Sequence, residues 1–363
     1  MTLRRTLILA AAVMATATAM TAQETPKWLR KSAISPDGTK VAFCYKGDIF
    51  TVDVNGGRAL QITTNQAYDS DPLWTPDGKR IVFSSYRAGS KDIFITSAEG
   101  GVPRRLTDYP GNETPLCVLD GGRVLFQANI QQDAVYGGFP GSPQVWQVDE
   151  KAGRPQLVTS MPLMAMSVNN SGEVIYEDYK GYEDPLRKHH QSSVTRDIWL
   201  YKPASAQGER FRVTGDGTFT KLTSFIGEDR NPVFAADEKT YYYISEADGT
   251  LNVHKASITE PGKSTQLTKF KDNPVRFLSV AGNGTLCFSW NGDLYTMTDG
   301  GEPKKLDITV AKDETENDVE YLTFSTGASS MAVSPDGKEI AVVIRGDVFV
   351  TSADYKTTKR ITN

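Results

Sequence analysis

Short runs of alternating apolar and polar residues recur along the chain, and they predict strands. Val41, Phe43 and Tyr45 point to one face of such a run, and Ala42 and Cys44 to the other. Ile81 and Phe83 repeat the pattern, as do Ile340, Val342 and Ile344. Before each of these runs stands a four-residue turn: Ser35-Pro36-Asp37-Gly38, Thr75-Pro76-Asp77-Gly78 and Ser334-Pro335-Asp336-Gly337. Proline presets the first turn position, the aspartate side chain caps the turn, and glycine takes the left-handed conformation. The next strand opens with an acidic residue, an aliphatic and an aromatic. Asp48-Ile49-Phe50, Asp92-Ile93-Phe94, Asp197-Ile198-Trp199, Asp293-Leu294-Tyr295 and Asp347-Val348-Phe349 are the copies, with Gln144-Val145-Trp146 and Asn252-Val253-His254 as weaker ones. A glycine turn such as Asn55-Gly56-Gly57 then leads to a fourth strand. That strand ends in an aliphatic-threonine pair at Thr63, Thr107, Thr159, Thr223, Thr268 and Thr362.

Four strands in a unit of about 40–55 residues is the period of a β-propeller. A sheet that is apolar on both faces buries them only against neighbouring sheets, so such units stack in a ring. Seven units open near Leu29, Pro72, Pro115, Ala165, Pro232, Val275 and Ser329. The fourth carries insertions at 179–196 and 203–218, and an acidic linker, 308–318, separates the sixth from the seventh. The expected fold is all-β: a six-bladed propeller over 28–307, then the first blade of a second propeller at 319–363. One seven-bladed ring is the alternative. Asp71-Pro72, Thr114-Pro115, Asn231-Pro232 and Asn273-Pro274 fall where the chain returns from an outer strand to an inner one. Asp71, Thr114, Asn231 and Asn273 are therefore candidates for the polar mouth of a central channel, unless these dipeptides only shape the turn.

Residues 1–22 differ from the rest. Arg4 and Arg5 precede an apolar run from Leu7 to Met14, and small residues follow to Ala22. This is the pattern of a cleaved export signal, too short to anchor in a bilayer. A periplasmic location is expected, and no cysteine near the cleavage region offers a lipidation site. Charged residues make up 23% and hydrophobic residues 39% of the 363, with a formal net charge of -4. A packed core is expected, and nucleic acid is not an expected partner. Cys44, Cys117 and Cys287 each sit in a strand-like apolar run, as buried small hydrophobes or with one disulfide among them.

No complete catalytic arrangement is present in the sequence. It has no glycine-x-serine-x-glycine elbow and no phosphate-cradling glycine loop, and no histidine or cysteine pair has metal-ligand spacing. No cofactor, metal or catalytic residue is assigned. His254 stands where its counterparts are aromatic, so a packed ring is expected. The charged insertion carries Arg187, Lys188, His189 and His190. Projecting from one blade, these four residues are candidates for holding a peptide carboxylate or an acidic partner, with a solvated loop as the alternative. Arg104-Arg105, on an outer strand, is expected to face solvent.

The Pro-Asp-Gly turns, the Asp48-Ile49-Phe50 type strands and the stretch 187–199, Arg-Lys-His-His-Gln-Ser-Ser-Val-Thr-Arg-Asp-Ile-Trp, resemble the N-terminal part of tricorn-like proteases, especially exported forms with TolB-type propeller repeats. The resemblance implies a six-bladed propeller, a seven-bladed one, a PDZ domain and a C-terminal serine peptidase core. The family's catalytic serine and histidine then lie downstream, and the chain is a fragment or a truncated product. Where some members have an arginine pair that anchors a substrate carboxylate, this chain reads Pro110-Gly111-Asn112-Glu113-Thr114-Pro115-Leu116, with no basic residue. The function implied is gating or guiding unfolded peptides to a catalytic core outside this chain. A stand-alone TolB-like binding propeller of the periplasm, and the propeller of a prolyl-oligopeptidase-like hydrolase, are the alternatives. Self-association stays open.

Overall fold

A computed structural model describes residues 26–130, 143–182, 184, 187, 189, 191–208, 210–311, 325–354 and 358–362. The expected signal 1–22, Lys188, His190 and the linker beyond Ala311 lie outside these residues. Two compact units divide the chain, Met1–Lys312 and Asp313–Asn363. Every regular element among the described residues is a strand.

The first unit holds six antiparallel sheets among its described residues. Sheet 1 comprises Arg30–Ile34, Lys40–Tyr45, Asp48–Asp53 and Gly57–Gln61, each paired with the next in sequence. The repeat motifs explain its local geometry. In the turn after the first strand, Ser35 Oγ donates to Asp37 Oδ1 at 2.6 Å and accepts the Lys40 amide at 2.9 Å. Gly38 takes φ +75°, a conformation that only glycine adopts freely. These hydrogen bonds hold the Asp37 carboxyl below its ordinary value. Where the fourth strand ends, Thr63 Oγ1 accepts the Ile49 amide at 2.9 Å. The threonine thus caps an amide just inside the acidic-aliphatic-aromatic triplet. The aromatic of that triplet lies opposite the second-strand phenylalanine. Phe43 and Phe50 stack at 5.8 Å, and Phe83 and Phe94 at 6.0 Å. Tyr243 faces His254 in the same register at 5.5 Å, so His254 is the packed ring its position implied.

Alternation along the second strands sends the two faces of each sheet into different seams. Val41 and Phe43 pack with Cys287 and Leu294 of the sixth sheet. Ala42 and Cys44 pack with Ile81 and Phe83 of the second. Four further clusters fill the seams between sheets 2 and 3, 3 and 4, 4 and 5, and 5 and 6. The sheets are therefore arranged as a propeller, in which neither face of a blade is buried without its neighbours. Each fully buried aromatic such as Phe43 or Phe288 contributes about 1.5–3 kcal/mol of apolar burial to its seam. Cys44 and Cys287 are free thiols buried in these clusters, and Cys117 is free and half-buried.

One boundary differs from expectation. Residues 308–310 are not linker. Ile308–Val310 forms a fifth strand, parallel to Gly57–Gln61, at the outer edge of sheet 1. An apolar-polar-apolar triplet is too short to stand out as a strand, and its partner lies some 250 residues earlier in the chain. The second unit holds one antiparallel sheet: Ala328–Val333, Glu339–Ile344, Asp347–Ser352 and Thr358–Arg360.

Candidate functional site

The inner strands of the six sheets are Arg30–Ile34, Asp69–Trp74, Thr114–Leu119, Leu163–Val168, Asp229–Phe234 and Arg276–Val280. Hydrogen bonds between neighbours set their alignment. The Ile34 amide donates to Ser279 Oγ at 3.0 Å, Gly282 N to Pro36 O at 2.8 Å, and Phe234 N to Ser167 Oγ at 3.2 Å. These strands therefore run side by side in one direction, and they enclose an axial cavity of about 770 Å³ to which all six contribute. The end where the strands begin is charged. Farther along, the wall turns apolar, with Leu73, Ala165, Met166, Val233 and Leu278.

Backbone geometry at the charged end repeats around the ring. Lys31 (φ 55°), Asp71 (φ 56°), Asn231 (φ 53°) and Phe277 (φ 58°) are left-handed, and each sits where its strand's register with the second strand slips by a residue. Such bulges turn side chains out of the pleat, which suits a rim around an opening. Asp71 bridges Lys31 at 2.7 Å and Lys91 at 2.9 Å, and Lys91 Nζ donates to Thr114 Oγ1 at 3.1 Å. Sheets 1, 2 and 3 are joined by this chain of contacts. Burial alone would raise the Asp71 carboxyl, but the two lysines outweigh it and hold it well below the usual range. Asn231 bridges sheets 5 and 6. Its Nδ2 donates to Leu278 O at 3.1 Å, and its Oδ1 accepts the Leu278 amide at 2.9 Å.

Buried ion pairs occupy the other half of the rim. Arg196 Nη1 contacts Glu177 Oε1, and Glu177 Oε2 accepts the Asn231 amide at 2.9 Å. Arg230 Nε donates to Glu228 Oε2 at 2.8 Å. The Glu228 amide donates to Glu246 Oε1 at 3.2 Å, and Glu246 Oε2 accepts the His189 amide at 2.7 Å. Burial and the charges of Arg230 and Arg30 push the Arg276 guanidinium down, with Asp184 partly offsetting them.

Of the four expected mouth residues, Asp71, Thr114 and Asn231 line the cavity. Asn273 is not among the lining residues: its carbonyl accepts Trp290 Nε1 at 2.9 Å, and its Nδ2 donates to Asn291 at 3.3 Å. The physical reason lies in the strand starts. Asp71 and Asn231 lie inside their inner strands, whereas Asn273-Pro274 precedes Arg276–Val280 and shapes only the connector. Phe277 takes the equivalent rim position. In the insertion, Arg187 and His189 are exposed, and the described contact that ties it to blade five uses the His189 backbone amide.

The buried rim charges were missed in sequence, although aligned repeats carry a signal for two of them. Glu177 stands where other second strands have Ser84 or Cys44, and Arg196 where Gly47 and Gly292 precede the triplet. Among the described residues, no group of three or more histidine, cysteine, aspartate or glutamate side chains is placed to hold a metal ion. Likewise, no helix is long and apolar enough to cross a membrane.

Residues 26–303 match the family described as the tricorn protease N-terminal beta propeller domain. Tricorn protease homolog 1 of Streptomyces coelicolor is 24% identical over 86% of this chain and 28% of its own length. The tricorn protease homolog of Saccharolobus solfataricus is 22% identical over 86% of this chain and 27% of its own. The chain thus spans under a third of the length of these relatives. Among solved structures, the tricorn protease superposes with a TM-score of 0.66 at 18% identity, covering 93% of this chain and 31% of that one. TolB from Acinetobacter baumannii gives 0.54 at 17% identity, over 82% of this chain and 67% of that one. At such identities these likenesses speak for the fold. The family match covers most of the chain, and with the propeller of four-stranded sheets it establishes that the chain belongs to the tricorn protease N-terminal beta propeller domain family.

Proposed function

We propose that this chain is the propeller segment of an exported tricorn-like serine protease, and that it guides unfolded peptides along its axial channel to a catalytic core carried elsewhere in the parent protein. The axial cavity carries this reading: six inner strands line it, with charged and hydrogen-bonding groups at one end and apolar walls beyond. An extended peptide loses water from its backbone on entry, and polar groups at the mouth replace it. Apolar walls accept many side chains without strong preference. A volume of about 770 Å³ holds a short peptide stretch but excludes a folded domain. On this reading 28–307 form a six-bladed ring, 319–363 open a second propeller, and PDZ and peptidase domains follow in the parent chain. Residues 1–22 direct export to the periplasm, and the insertion with Arg187, Lys188, His189 and His190 offers contacts to an incoming acidic segment.

The test is fluorescence anisotropy of a labelled, unstructured peptide with the purified chain, beside an Ala165→Trp variant that fills the channel. The peptide binds the parent chain and is not hydrolysed, and the variant loses binding while keeping its circular dichroism spectrum. Undiminished binding by the filled channel sinks the reading. So does turnover of the peptide that a substitution within this chain abolishes.

A further inference from the structure

Within the guiding role proposed above, we propose that the channel mouth selects by charge, admitting acidic peptide segments in preference to basic ones. At the strand-start end the cavity is lined by Lys31, Arg196, Arg230 and Arg276 against Asp71 and Glu177. Four cations facing two acids give that end a positive excess, in a chain whose formal net charge is -4. The local sign is thus opposite to the global one, and a focused field of that kind attracts a local anionic group rather than an extended polyanion.

Two further observations point to a ligand. Arg196 is 5% exposed, and its Nε has no hydrogen-bond partner although its Nη1 meets Glu177. A buried guanidinium donor left open costs free energy that an arriving carboxylate recovers. Arg276, half-buried on the same rim, is crowded by the like charges of Arg230 and Arg30. An aspartate or glutamate side chain beside it relieves that crowding, whereas a lysine or arginine adds to it. The planar fork of a guanidinium suits a carboxylate in two-point contact. The acids of the rim do not compensate fully: Asp71 is already shared by Lys31 and Lys91, and Glu177 by Arg196 and the Asn231 amide.

The test uses the full 363-residue chain and three labelled, unstructured peptides of equal length, one rich in glutamate, one rich in lysine and one neutral. Anisotropy at low salt gives the acidic peptide an affinity on the order of tenfold above the basic one, and the gap narrows as salt is raised. Arg276→Gln reduces the acidic preference several-fold, Arg276→Lys keeps part of it, and Arg154→Gln, on an exposed outer connector, leaves it unchanged. Thermal melts of each variant establish that it is folded. Measurable binding with equal affinities, or with the basic peptide bound tighter, overturns charge selection and leaves the guiding role standing. Absence of binding by all three peptides overturns both.

Discussion

At the scale of single residues, a threonine hydroxyl does the same work in several repeats. Thr63, Thr107, Thr223 and Thr268 accept the amides of Ile49, Ile93, Ile198 and Val253 at 2.9–3.0 Å. Thr159 departs from the pattern and accepts the Met161 amide instead. Thr268 is buried, and its hydroxyl also donates to Asn252 Oδ1 at 2.8 Å. Thr268→Val keeps the shape and strands a buried amide, so it lowers stability by about 1–3 kcal/mol in urea denaturation. Glu113 gives a pH dependence. Fully buried, its carboxyl is pushed up by burial to about 7; the Thr107 hydroxyl opposes the shift and the Asp92 charge adds to it. A carboxyl raised in the folded state favours folding while both states hold the proton, below about 4.5, and that contribution is lost as pH rises through about 7. The loss is on the order of 2–3 kcal/mol. Glu113→Gln keeps an oxygen for Thr107 and has no charge to bury. It flattens the fall in urea midpoint between pH 5 and pH 8 and is the more stable protein at pH 8; a midpoint slope unchanged by the substitution contradicts this account.

At the scale of elements, the strand Ile308–Val310 ties the end of the sixth blade to the outer edge of the first. Its docking depends on the glycine turn before Gly57–Gln61. Gly57 N donates to Asp307 O at 2.7 Å, and a Cβ on Gly56 would lie 2.6 Å from the same carbonyl oxygen. Gly56 also has φ +92°, so one residue answers both a backbone and a space requirement. Ile308 is 1% exposed and packs with Phe50, Ala59 and Leu306. Ile308→Ala lowers the urea midpoint by an amount corresponding to about 2–4 kcal/mol, whereas Thr309→Ala, on the other face, changes it little. Equal effects would show that the strand adds no packing to the seam. What was legible at this scale follows from range. The turns, the triplets and the alternation are local and repeated, so the strands of each sheet could be placed from sequence. The pairing of 308–310 with residues near 58 is a contact between distant parts of the chain, and no local pattern announces it. Asn273 misled for the converse reason: its dipeptide matches Asp71-Pro72 locally, but the following strand starts later.

At the scale of the whole molecule, the channel was legible as a consequence of the ring and its chemistry was not. Glu177, Arg196, Arg230 and Arg276 come from three different sheets, and only closure around an axis brings them to one rim. The same dependence on neighbours separates the two compact units. Phe50 and Phe349 occupy the same place in the same motif, yet Phe50 is fully buried between two sheets while Phe349 is half-exposed. None of the described residues from 325 onward is buried, and Met331, Val333 and Ile361 are 70%, 56% and 56% exposed. A lone sheet of four strands has no second layer, and a segment of this length rarely folds without added staples. Six seams, by contrast, give the first unit its own core. Residues 26–312 expressed alone therefore melt cooperatively, within about 3 °C of the full chain. Residues 313–363 expressed alone give no cooperative transition and bind a hydrophobic dye. Calorimetry of the two fragments decides the matter: a sharp transition from the shorter one would mean that a single blade of this sequence carries enough internal packing to stand by itself, and the account of stability through seams would then fail.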